Sequence, residues 1–298
     1  MTYSTFDVPV PGGPMRVGRW SGPEATTTVV AVHGITAHHL AWALVAQELP
    51  EVDLVAPDLR GRGRSRDLPP EVGMAAHADD VAAVIREVGG PVVVVGHSMG
   101  GFVAAVLAHR HPDLVSGVVL VDGGFPFASG DAETTQAGLE LIKNRLRARF
   151  PSVEDYVELF RAHPAFVDDW SDAVEGYVRY DAIGETPEHH SSAVLDAVVA
   201  DQRDIAASDA LTDALAALAE SEASGGSDGA PVRTMFLRAP RGFVDDPPGL
   251  YSPEATTELR SQYPAVEFRE IEGVNHYTIT LGRRGARAVA TAVRDMIG

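Results

Sequence analysis

Valine fills every position from 92 to 95, and β-branched apolar runs of the same kind recur at 28–32 and 117–121. A strand that is apolar on both sides of its pleat must be covered on both faces, which points to the interior of a parallel sheet. Helical patterns at 40–49, 74–88 and 102–109 alternate with these runs and with a further strand at 52–56. Ahead of them, 6–10 and 15–20 flank Pro11-Gly-Gly-Pro14 and read as two strands joined by a turn. The pattern predicts an α/β fold with a mostly parallel central sheet and helices on both faces.

The alternation stops at Asp122. From 125 to 229 the periodicity is helical, with helices expected at 139–150, 153–161, 170–180, 193–206 and 211–220, and Ser224-Gly-Gly-Ser-Asp-Gly229 reads as a linker. Strand signals resume at 232–237 and 266–271, and 286–296 closes the chain as a helix. The expected division is a core domain, 1–124 with 230–298, interrupted by a helical insertion, 125–229.

With 298 residues, 45% of them hydrophobic, the chain can bury a large core. A formal net charge of -18 argues against partners that need basic patches, nucleic acid and anionic membrane alike. The absence of cysteine excludes disulfides, thiol nucleophiles and Cys-ligated zinc. Residues 1–7 show neither a basic start nor an apolar stretch, and no apolar run reaches the roughly 18–20 residues of a membrane span. A soluble, cytoplasmic protein is expected. The pairs His38-His39 and His189-His190 are adjacent in sequence, a poor spacing for chelation, so no metal is expected. Composition leaves the oligomeric state open.

The chemistry is concentrated at Gly96-His-Ser-Met-Gly100, between the valine strand and a helix. A G-x-S-x-G there makes a sharp turn that lifts the Ser98 hydroxyl to the carboxyl edge of the sheet, facing the N-terminus of the next helix. A serine hydroxyl needs a base to become a nucleophile. His276, in Gly273-Val-Asn-His-Tyr277 after the strand at 266–271, stands where that base belongs. Two backbone donors would hold an oxyanion: the N–H of Met99 and that of Ile35, which follows His33-Gly34.

Together His33-Gly34, Asp58-Leu-Arg-Gly-Arg-Gly-Arg-Ser65, Gly96–Gly100, Leu120-Val-Asp122 and the late His276 resemble the α/β-hydrolase superfamily, in that family's order and over nearly the whole chain. The resemblance implies that the insertion is a helical cap, that no cofactor is needed, and that a carboxylate completes a triad with Ser98 and His276. Family members most often place this acid after the strand at 232–237. Here Arg241 falls near that point, with Asp245 and Asp246 only later. Haloalkane dehalogenases and some lactonases place it one strand earlier, where this chain has Asp122. Asp122 is the favoured acid, Asp245 the alternative and Asp246 the third choice.

The resemblance and the serine imply a carboxylesterase or lactonase acting through an acyl-enzyme, and the apolar insertion with the acidic surface suggests a hydrophobic, neutral small molecule as substrate. C–C hydrolysis, thioester hydrolysis, and lyase or perhydrolase chemistry use the same triad; a non-catalytic receptor is the alternative of another class. The arginines of 58–65 are read as parts of a structural turn. The aromatics of the insertion are read mainly as its own core, with Phe125 and Phe127 as candidates for lining the site and His38 as a further residue near it.

Overall fold

The valine runs lie in the middle of one eight-stranded sheet. Its strands are β1 (Thr2–Val10), β2 (Gly13–Ser21), β3 (Thr27–Val32), β4 (Val52–Pro57), β5 (Val92–His97), β6 (Val115–Val121), β9 (Arg233–Arg238) and β10 (Glu267–Glu270). β7 (Ala182–Ile183) and β8 (His190–Ser191) form a separate two-stranded ladder. This computed structural model describes residues 1–69, 73–127, 132–220 and 232–298; the linker expected at 224–229 lies outside them.

The strands run in the order β1-β2-β4-β3-β5-β6-β9-β10. β2 is antiparallel to both its neighbours, and every pairing from β4 to β10 is parallel. Successive side chains of the buried strands divide between two cores. Val30, Val94 and Leu120 face α2 (Met74–Val88) and α3 (Met99–Arg110). Val29, Val95 and Val119 face α1 (Ala43–Gln47) and the closing helix α11 (Arg283–Ile297). Each buried valine is worth about 2 kcal/mol of transfer free energy, so both apolar faces drive the layering. The helix expected at 40–49 divides into a tight turn over His39–Trp42 followed by α1.

The insertion supplies α4 (Ala132–Arg147), α5 (Val153–Arg161), α6 (Asp172–Asp181), α7 (Leu195–Ala207) and α8 (Asp209–Glu220). Ser152 and Ser171 cap α5 and α6 by accepting the Asp155 and Val174 N–H groups. Leu211, Ala214 and Leu215 of α8 enter the same core as α2 and α3. α7 is tied to the core by charge. Asp201 accepts the Gly73 N–H and Asp204 the Met74 N–H, each at 2.7 Å, so two carboxylates of α7 sit on the N-terminus of α2. α9 (Pro253–Gln262) and α10 (Thr278–Leu281) complete the helices.

Candidate active site

β5 ends at His97 and α3 begins at Met99, which leaves Ser98 alone in the turn with φ 53° and ψ −121°. Such a backbone is costly for a residue with a side chain and persists only where the surroundings enforce it. The Ser98 N–H donates to the Val121 carbonyl at 3.0 Å, which fixes the turn to β6. A Cβ on Gly100 would lie 2.1 Å from the Val32 carbonyl oxygen, and one on Gly123 would lie 2.1 Å from that of Ser98. The turn can therefore close only with bare backbone on both sides of it.

Asp122 follows β6 directly and is fully buried, also at positive φ (45°). Its N–H donates to the Leu237 carbonyl at 2.7 Å, and its Oδ1 accepts the Ala239 N–H at 3.0 Å. The carboxylate is thus clamped between the ends of β6 and β9. Its Oδ2 lies 2.7 Å from Nδ1 of His276. Asp245 is held elsewhere: Oδ2 pairs with Arg241 at 2.8 Å, and Oδ1 accepts from the Asn275 side chain at 2.8 Å. The Asp246 carbonyl accepts the Gly242 N–H at 2.7 Å and so closes the same loop.

His276 lies between β10 and α10 in a loop organised by Asn275. The Asn275 Oδ1 accepts the Tyr277 and Thr278 N–H groups, and its Nδ2 donates to Ala165 and Asp245. His97 Nε2 donates to the His276 carbonyl at 2.8 Å. Burial, and then the neighbouring His276, push the basicity of His97 well below that of free histidine, so it acts as a neutral donor. The Phe243 ring, 46% exposed, meets the His276 imidazole edge-on at 4.5 Å. His97, Asn275 and Phe243 were not singled out from sequence. His97 lies inside the G-x-S-x-G, and Asn275 next to the histidine; Phe243 carried no signal.

The loop after β3, expected to supply an oxyanion donor, is packed against the serine. A Cβ on Gly34 would come within 3.2 Å of the Ser98 Cβ. His33 is fixed as one neutral tautomer: Nδ1 donates to the Gly34 carbonyl, and Nε2 accepts the Leu59 N–H. Burial lowers its pKa to about 3. The Ile35 carbonyl accepts from Nε of Arg62 at 2.8 Å, which ties this loop to the arginine. Met99 opens α3, so its N–H has no intrahelical acceptor. Arg62 is wholly buried, pairs with Asp201 of α7 at 2.6 Å, and brings Nη2 to 3.9 Å from the Met99 sulfur.

Phe125 does not line this site. It is fully buried in the core among Phe236, Tyr263 and Phe268. Phe127, 37% exposed, lies against Phe102 and Tyr251. His38, His39 and Asp58 bring their donor atoms within 4.8 Å of one another. Asp58 already accepts four donors there, from the His39 N–H and ring, the Arg64 N–H and the Tyr180 phenol. The second ring nitrogen of His39 meets the Tyr3 hydroxyl at 2.7 Å. These bonds satisfy Asp58 and His39; His38 bonds the Tyr177 carbonyl through Nε2 at 3.1 Å, and its buried Nδ1 has no hydrogen-bond partner among the described residues.

A serine on a strained strand-to-helix turn, with an acid after β6 paired to a histidine in the loop after β10, is the arrangement expected of a hydrolase that uses a serine nucleophile. The family model described as alpha/beta hydrolase fold matches residues 27–183, more than half of the 298, and the chain belongs to that family. It is 45% identical over 102 residues to the lipase LipV of Mycobacterium tuberculosis, a match covering 34% of this chain and 39% of that protein. Among solved structures it resembles E-2-(acetamidomethylene)succinate hydrolase, with TM-score 0.79, 19% identity and 99% of each chain covered. It also resembles the thioesterase domain from the curacin biosynthetic pathway, with TM-score 0.75 and 21% identity over 99% of this chain and 100% of that one. Both structural likenesses speak for the fold.

Proposed function

We propose that the protein is a serine hydrolase that cleaves a carboxylic ester or lactone of a small organic molecule. The observation that carries this reading is the 2.7 Å Asp122–His276 pair beside a serine held at positive φ. In this reading Ser98 Oγ attacks the carbonyl carbon and His276 takes its proton on Nε2. Asp122 fixes the tautomer through Nδ1 and stabilises the imidazolium. The Met99 and Ile35 N–H groups hold the tetrahedral oxyanion. His276 returns the proton to the departing alcohol, then activates water to release the acid and regenerate Ser98. The lipase relative supports an ester bond as the target.

Labelling with a fluorophosphonate probe, followed by turnover of p-nitrophenyl hexanoate, tests the proposal. Wild-type protein is expected to label at Ser98 and hydrolyse the ester, and Ser98→Ala protein to do neither. A Ser98→Ala variant that hydrolyses at the wild-type rate would overturn it.

A further inference from the structure

Three interior arginines are each gripped by a carboxylate: Arg60 by Asp80 and Arg62 by Asp201, both at 2.6 Å, and Arg238 by Glu270. Arg145, in the last turn of α4, has no such partner among the described residues. Among the described residues its guanidinium donates to the Tyr156 phenol, 3.5 Å from Nη1, and its guanidinium carbon lies 5.6 Å from the Phe160 ring centre. The nearby carboxylate of Asp181 is occupied otherwise, accepting from the Tyr156 phenol and from Ser191 and Ser192. Arg145 is therefore a partly enclosed cation with most of its five donors uncommitted.

Its position is informative. Leu146, on the same turn, forms a small apolar cluster with Ala193 and Val198, against which Ile142 and Ile35, of the loop after β3, both pack. On the other side the Phe160 ring beside Arg145 meets Phe166 at 6.2 Å, and Phe166 meets Tyr277, the residue after His276, at 5.3 Å; burial raises that phenol and the Arg145 charge draws it back. Burial also works against the charge of Arg145 itself, and the surrounding phenols and Asp181 outweigh it. The turn thus stands beside both loops that frame Ser98. An unpaired cation in a poorly hydrated setting destabilises a fold unless something supplies the anion. A guanidinium matches a carboxylate with two parallel hydrogen bonds.

We propose that Arg145 binds a carboxylate of the substrate, so that the substrate is an ester whose acyl part ends in a carboxylate. This rests on the hydrolase reading of Ser98. The acyl part is assigned because it stays on the serine through both chemical steps, so one anchor serves acylation and deacylation. The apolar stem then runs along the rings of Phe160 and Tyr277, and the neutral substrate expected from the apolar insertion becomes an acidic one.

The test compares the mono-p-nitrophenyl ester of adipic acid with p-nitrophenyl hexanoate, in wild type, Arg145→Met and Arg145→Lys. Wild type is expected to favour the acidic ester by roughly 10–100-fold in kcat/KM. That ratio should fall towards one in Arg145→Met, mainly through KM, and to an intermediate value in Arg145→Lys, which keeps the charge but not the fork. A wild-type ratio near one, or a ratio that the substitutions leave unchanged, overturns the proposal. If Arg145→Met does not fold, Arg145→Lys decides. If neither ester is turned over and Ser98 does not label, the hydrolase reading has failed. The melting temperature with monomethyl adipate against methyl hexanoate then decides for Arg145: stabilisation by the acidic ester alone, weakened in Arg145→Lys, supports it, and equal effects of the two esters overturn it.

Discussion

A carboxylate's role is set by what its oxygens touch. Asp122 gives one oxygen to a backbone N–H and the other to the His276 ring, with no water-facing surface. Asp245 gives its oxygens to Arg241 and Asn275. Asp122→Asn is expected to lower kcat by about 10³–10⁴, because an amide cannot enforce the tautomer or balance the imidazolium. Asp245→Asn loosens the loop bearing Phe243, and is expected to change kcat by less than about tenfold while lowering the melting temperature. Parallel kinetics and melting of the two variants separate the roles; a larger kcat loss in Asp245→Asn would exchange them. Sequence placed Asp122 at a rigid strand end, and that position distinguished it from Asp245. It could not show the Arg241 clip, because a pairing four residues apart in a loop depends on the turn between them. Phe243 was illegible for the same reason: its contact with His276 spans 33 positions (276 − 243) and is made by loop geometry alone.

Elements meet at the loop from Asp58 to Ser65. Read from sequence as a structural turn, it is one, and its arginines join separate elements. Arg60 pairs with Asp80 of α2, and Arg62 joins the Ile35 carbonyl, the Met99 sulfur and Asp201 of α7. The strands and the Gly96–Gly100 turn were legible because their signals are local in sequence. The docking of α7 was not, because Asp201 and Asp204 look like ordinary solvent-facing acids of a helix. Arg62→Lys keeps the charge but cannot reproduce the fork to Ile35 and Asp201. It is expected to lower kcat by about tenfold with a smaller effect on KM, since it shifts the loop proposed to carry the Ile35 oxyanion donor. Asp201→Asn leaves Arg62 buried without its counter-charge, at a cost of about 3–5 kcal/mol. Urea unfolding of both variants beside steady-state kinetics checks this pair. A wild-type kcat in Arg62→Lys would show that the clamp serves stability alone.

On the scale of the whole molecule, three buried histidines make stability depend on pH. Burial lowers His33 to about 3 and His38 to about 4, and holds His97 well below free histidine. In the unfolded chain each titrates near 6.5. Their folded values lie below the unfolded ones, so their contribution is complete above about pH 6.5 and is lost as pH falls towards 4. In that interval the unfolded chain takes up protons that the fold excludes. Each histidine contributes a slope of about 1.4 kcal/mol per pH unit, about 4 kcal/mol for the three together. Asp201 follows in a lower window. Burial would raise its carboxyl, but His77 and Arg62 hold it down at about 2, so its contribution is complete above about pH 3.9 and is lost as pH falls towards 2. The net charge of -18 opposes the histidine effect, because acid relieves self-repulsion. Unfolding is therefore best measured in about 0.2 M salt, where exposed charges beyond roughly 7 Å are screened. Urea midpoints at pH 7.5, 6 and 5 are expected to fall steeply, with about one third of the slope removed in His38→Gln, whose amide can still donate to the Tyr177 carbonyl. A midpoint at pH 5 equal to that at pH 7.5 would mean that the buried imidazoles open to water before the fold does.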